Sequence, residues 1–436
     1  MSLPCFRNLV VRVCFGVCVP GGLLSQTPTQ VIVPKPSARE LSRTNHHVAN
    51  SARTPAPEPG QENTPIPSPL VRLDGQRVKD ASEWYRTRRP ELVGLWTRVL
   101  GKTEPNQADR KWFGDVTKVQ IKDVQEKSRY TRIDLDIPIE TDFFQHHLLL
   151  IPKDQGPGPF PAVIAWAASS SDYRQPESWW GEYLSSNGYV VLTSWSLMRN
   201  YRNGTTSRTG ATDLLHERFA HWLPIARMAY DVRREAEYLK SRPEVDGSRI
   251  GFIGFSHSAK AAVYVGAFAP EIKAIISLDP HIGVNGGTNY YDPWYLAWRR
   301  KFDDINTGDY PVADLRGTVQ SLLNPDPDRP GFERDHHELL SMAAPRPFLL
   351  IGGSQSENSG RDSDDLQSWG YFNRAKEVYE LLGIGERLQF ASTNDGHAPN
   401  GPNIDTAWKT FFQRWLKDTP IEFSGWTGRY GPAVSR

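Results

Sequence analysis

The sequence predicts an α/β protein built on a mostly parallel sheet covered on both faces, with antiparallel strands at its N-terminal end. Three observations predict it. Short unbroken apolar runs at 161–166, 188–193, 250–253, 274–278, 348–352 and 388–391 read as strands buried on both faces. Helix-forming stretches lie between most of them, and such crossovers join parallel strands. Ahead of these, 116–124 and 131–138 alternate polar and apolar residues like a hairpin with one solvated face, and 143–152 adds a further strand.

The elements follow in order. Residues 1–25 read as a secretory leader: Arg7 and Arg12 stand near the start, and 13–24 is mostly apolar but too short to span a bilayer. Cys5, Cys14 and Cys18 all fall there, so the rest of the chain has neither a disulfide framework nor a cysteine metal site. Residues 26–70 are rich in Pro, Ser, Thr and Asn with almost no aromatic residue, a linker that cannot build a core. One domain over 71–420 and a tail over 421–436 complete the chain. Residues 81–100 read as a helix with Trp84, Leu92, Leu95 and Leu100 inward, and 177–186 as another. A third helix, before the strand at 250–253, buries Val232, Ala236 and Leu239 on one stripe.

Charge excludes one class of partner. Lys and Arg number 51 against 50 Asp and Glu, without the basic surplus of a nucleic-acid footprint. Asp335, His336 and His337 invite a metal reading. With no second cluster at ligand spacing, no metal site and no cofactor are expected.

The chemistry concentrates at Gly254-Phe255-Ser256-His257-Ser258. A strand runs into a sharp turn with a central serine, and a helix follows, the layout of a nucleophile elbow. Small residues must flank the serine two positions away on each side. Gly254 complies, and Ser258 stands where the pattern has a second glycine. A serine hydroxyl needs a histidine to take its proton and a carboxylate to orient that histidine. In the α/β-hydrolase fold, which this strand order matches, the chain order is serine, acid, histidine. His397, after the last strand and before the closing helix, stands where that fold delivers its base. The acid stays open between two positions. Glu357 lies just past the strand at 348–352, with Asp362, Asp364 and Asp365 close by. Asp279 ends the strand before it. The oxyanion would take the N–H of His257 and one from the loop after Trp166, at Ala167 or Ala168.

These residues resemble the α/β-hydrolases of the dienelactone-hydrolase type, and most nearly the glucuronoyl-esterase and acetyl-xylan-esterase branch of carbohydrate esterases. The likeness covers roughly 155–418. Lys260 stands four residues after the serine, as in glucuronoyl esterases, and Asp279 stands 23 residues after it, where some members place the acid. Glu357 matches the alternative acid of the family, and Gly396-His397 its base. The chain departs at His257, where those enzymes carry arginine. The resemblance implies a serine carboxylesterase acting through an acyl-enzyme on a small-molecule or polysaccharide ester; the leader implies a secreted or periplasmic protein, with no stable membrane insertion expected after its cleavage. The resemblance gives Lys260 a sugar hydroxyl to bind. Trp294 and Trp369, near strand ends, are candidates to stack on a sugar. Two rival readings are a non-catalytic binding protein on the same scaffold and a prolyl-oligopeptidase-like peptidase, which lacks the room here for a propeller domain.

Overall fold

The computed structural model describes residues 66–421, apart from 170, 197, 204–207, 221, 281, 283–335, 354–363 and 394. The leader, nearly all of the linker and the tail lie outside the described residues. The packed chain starts ahead of the expected boundary at 71, since Ile66 packs against the core and Leu70 is buried.

Nine strands form one sheet: β1 Gln120–Glu126, β2 Tyr130–Ile137, β3 Gln145–Pro152, β4 Phe160–Trp166, β5 Val190–Ser194, β6 Val245–Phe255, β7 Ala274–Leu278, β8 Phe348–Gly353 and β9 Leu388–Thr393. Their order is β1-β2-β3-β5-β4-β6-β7-β8-β9. β1 to β3 pair antiparallel, and β3 meets β5 antiparallel. From β5 to β9 every pairing is parallel. This is the α/β-hydrolase fold. The helices used below are α1 Arg89–Leu100, α2 Glu182–Ser186, α3 Met198–Asn203, α4 Arg208–Phe219, α5 Pro224–Lys240, α6 His257–Phe268, α7 His336–Met342, α8 Asp364–Leu381 and α9 Pro402–Leu416.

Alternation along each strand divides the core between two faces. Leu149, Ile164, Leu192, Phe252, Ile275 and Leu350 pack under α1, α5, α6, α7 and α8. Leu148, Val163, Val191, Ile253, Ile276 and Leu349 pack under α2 and α9. Trp84, Leu92, Leu95 and Leu100 are all buried, as their spacing predicts. The edge strand β1 is exposed along its whole length, and its charged and amide side chains discourage pairing with another sheet.

Helix α5 differs from its expected amphipathic form. Val232, Ala236 and Leu239 are buried, but so are Arg227, Asp231 and Glu235, which recur every four residues along a second stripe. Periodicity of apolar residues misses such a stripe, because its charges pair with each other and with the sheet. Arg227 bridges Asp231 and Glu140, each at 2.7 Å. Glu235 accepts hydrogen bonds from Gln145 Nε2 and Trp166 Nε1, both at 2.8 Å, and lies 3.0 Å from His147 Nε2. The helix is therefore fixed to the starting end of β3 and the finishing end of β4 by hydrogen bonds to Glu235 as well as by apolar contact.

Candidate active site

Strand β6 delivers Ser256 in a backbone conformation, φ 58° and ψ −117°, that L-residues rarely adopt. The turn is so tight that a Cβ on Gly254 would lie 2.3 Å from the Ser258 carbonyl oxygen, so only glycine fits there. The Ser256 N–H donates to the Leu278 carbonyl at 3.0 Å, which ties the turn to the end of β7. Helix α6 begins at His257, with its positive N-terminal end directed at the serine.

Two strand ends bring partners to that serine. His397 follows β9, and its Nε2 lies 3.1 Å from Ser256 Oγ. Its Nδ1 contacts the Asp279 carboxylate closely. Asp279 stands directly after β7, is 2 % exposed, and also has positive φ, 55°. A carboxylate only accepts, so Nδ1 carries the proton and Nε2 offers its lone pair to the serine hydroxyl. The imidazole is held from further sides. The Phe255 ring lies 4.7 Å from it, and Trp179 packs edge-on against Phe255. Trp180 Nε1 donates to the Pro399 carbonyl at 2.9 Å, and Asp395 accepts the N–H groups of Asn403 and Ile404 at the start of α9. Sequence reasoning missed Phe255 and Trp180 as supports. The one signal was an aromatic next to the serine, which is uninformative until the histidine loop is seen to fold over it.

The remaining expected site residues divide. His257 opens α6 beside the serine. Ala167 does not serve as expected, because its N–H already donates to the Ser194 carbonyl at 2.8 Å and continues the pairing of β4 with β5. Lys260 is 3 % exposed, and its ammonium bonds the Pro280 carbonyl, so it braces the chain just after Asp279. Trp369 offers no face to a ligand: it is buried in α8, stacked on Phe372 at 5.1 Å and edge-on to Phe390. A bulky apolar ring on a helix over the sheet is drawn into the core. Glu357, Asp362 and Trp294 lie outside the described residues, and Asp364 and Asp365 open α8. His336 and His337 are buried and pack against Tyr371. Among the described residues no group of three or more His, Cys, Asp or Glu is arranged to hold a metal ion, and no helix is long and apolar enough to cross a membrane.

Comparison with known proteins bears on this geometry. A curated relative, 4-O-methyl-glucuronoyl methylesterase 1 of Wolfiporia cocos, is 26% identical over 198 residues, which cover 43% of this chain and 45% of the relative. The chain thus spans less than half the length of that relative. Carbohydrate esterase MZ0003, from an unknown prokaryotic organism, is 21% identical over 73% of this chain and 79% of its own length. Among solved structures, a carbohydrate esterase family 15 glucuronoyl esterase from Caldicellulosiruptor kristjansonii superposes with a TM-score of 0.55 at 20% identity, covering 84% of this chain and 94% of that one. That likeness establishes the fold. The family described as glucuronyl esterase, fungi, matches residues 144–383, more than half of the chain. The matched span holds the whole elbow, Ser256 and Asp279. The chain belongs to the glucuronyl esterase family.

Proposed function

We propose that this protein is a serine carboxylesterase that cleaves an ester carried by a carbohydrate, with Ser256, His397 and Asp279 as its triad. The observation that carries the reading is the chain of contacts from Asp279 through the His397 ring to Ser256 Oγ, 3.1 Å from Nε2, at the carboxyl ends of the parallel strands. Ser256 Oγ attacks the ester carbonyl while His397 Nε2 takes the hydroxyl proton. Asp279 stabilises the imidazolium through Nδ1. The tetrahedral oxyanion rests on the N–H of His257 and on that of Ala168, since Ala167 spends its own on Ser194. Collapse expels the alcohol, which leaves with the proton from His397. Water, deprotonated by His397, then releases the acid and restores the serine.

The substrate class follows the relatives, whose names describe methyl esters of 4-O-methyl-glucuronate. A glucuronate ester carried by a carbohydrate is the proposed substrate. Export is proposed on the leader, with its basic start and apolar run at 13–24. The test is hydrolysis of p-nitrophenyl acetate and of methyl glucuronate by the full chain, with Ser256→Ala alongside. Turnover lost in the variant is the expected result. Equal turnover in both proteins would remove the serine from the mechanism.

A further inference from the structure

We infer that Ser258, which stands where the elbow pattern has glycine, is a positioning residue that sets the oxyanion-binding peptide. Its side chain is buried, and its Oγ donates to the Ala167 carbonyl at 2.5 Å, across 91 residues of chain. The Ala167 carbonyl and the Ala168 N–H belong to one planar peptide unit, so fixing one fixes the other. The N–H on the other side of Ala167 donates to Ser194 at 2.8 Å. Both peptides flanking Ala167 are therefore held, one from the end of β5 and one from the first turn of α6. The residue before it is held as well, since the Trp166 indole donates to buried Glu235 at 2.8 Å. Of these three ties, Ser258 alone joins the oxyanion loop to the helix that carries the nucleophile. It thus sets the distance between the attacking oxygen and the donor that receives the charge.

A glycine at 258 would satisfy the crowded turn equally well but would leave that carbonyl without this donor. The serine meets both needs: its side chain is small enough for the elbow, and its hydroxyl reaches the neighbouring loop. The inference rests on the serine-esterase reading and on Ala168 as the second oxyanion donor.

The test compares the full-length protein with Ser258→Ala, Ser258→Gly and Ser258→Thr, and with Ser256→Ala as the reference for the chemistry. Initial rates on p-nitrophenyl acetate give kcat and KM, and thermal melts report the fold. A donor displaced by a fraction of an ångström costs rate rather than ground-state binding. The expected result is a kcat roughly 10- to 100-fold lower in the Ala and Gly variants, with KM within about twofold and an unchanged pH profile. Ser258→Thr, which keeps the hydroxyl, should retain most of the rate. Folded Ala or Gly variants with wild-type kcat would overturn the inference while leaving the esterase reading intact. If the Ala variant fails to fold, the Gly variant carries the comparison. A Thr variant that melts like wild type and is yet as slow as Gly would also overturn it. Wild-type turnover that survives Ser256→Ala would overturn the esterase reading and this inference with it.

Discussion

Asp279 does two things at once that pull against each other energetically. It is nearly inaccessible to water, and it adopts a positive φ that costs on the order of 1–3 kcal/mol in a non-glycine residue. Its N–H donates to the Ile351 carbonyl at 2.7 Å, so the end of β8 holds the strained residue in place. Strain at both Ser256 and Asp279, facing one imidazole, is what a preorganised site requires. Asp279→Asn keeps the shape but lets the amide donate to Nδ1, which turns the imidazole to the wrong tautomer. We expect kcat to fall by about 10⁴-fold with little change in KM, as when a serine hydrolase loses this carboxylate. Steady-state kinetics would check it, and a loss below tenfold would return the acid role to the segment containing Glu357. At this scale the serine and histidine are legible in the sequence, because the elbow and the loop after the last strand are local features. The choice of acid was not, because the sequence offers a carboxylate after each of two successive strands, Asp279 and Glu357, and local pattern does not rank them.

Among the elements, β6 and α6 meet at the tightest turn in the site. Gly254→Ala would place a methyl group 2.3 Å from a backbone oxygen that has nowhere to retreat. Overpacking of this kind costs about 1–3 kcal/mol, and the turn that presents Ser256 would open to relieve it. A denaturant titration should show the loss of stability, with turnover falling further than stability alone explains. Helix α5 makes a second point at this scale. His147 Nδ1 faces the Gln145 carbonyl at 2.8 Å and so carries a proton. The contact of its Nε2 with Glu235 then requires one more proton between them, and burial raises the Glu235 carboxyl against the opposing pull of His147. An apolar-stripe reading of α5 placed Val232, Ala236 and Leu239 correctly and passed over Arg227, Asp231 and Glu235. Charged residues read as solvated faces until the sheet supplies their partners.

Across the whole molecule, the buried charges make stability depend on pH. Burial, opposed by the Arg227 guanidinium, pushes the Asp231 carboxyl from its ordinary 3.8 up to about 7. Between those values the folded chain holds a proton that the unfolded chain has released. The contribution of Asp231 to stability is therefore complete below the ordinary carboxylate range and is lost as pH rises through about 7. Thermal melts at pH 5 and pH 8 would test this. Wild type should lose more melting temperature over that interval than Asp231→Asn, whose amide does not titrate. Parallel slopes in the two proteins would show that Asp231 titrates as an ordinary carboxyl.

The sequence by itself determined the α/β class, the succession of antiparallel and then parallel strands, the tight turn at Ser256 and the place of His397 in the loop after the last strand. Each is written in local signals: runs of apolar residues, small residues around a turn, and position after a strand. The tertiary structure brought the Asp279 carboxylate to the His397 ring, committed the Ala167 N–H to Ser194, buried Trp369, and gave Ser258 and Trp180 their contacts. The contacts of Ser258, Asp279 and Trp180 join atoms 91 or more residues apart in the chain. No local pattern encodes them, because the same serine, alanine or tryptophan is equally at home in a turn, a ladder or a core until its neighbours are in place.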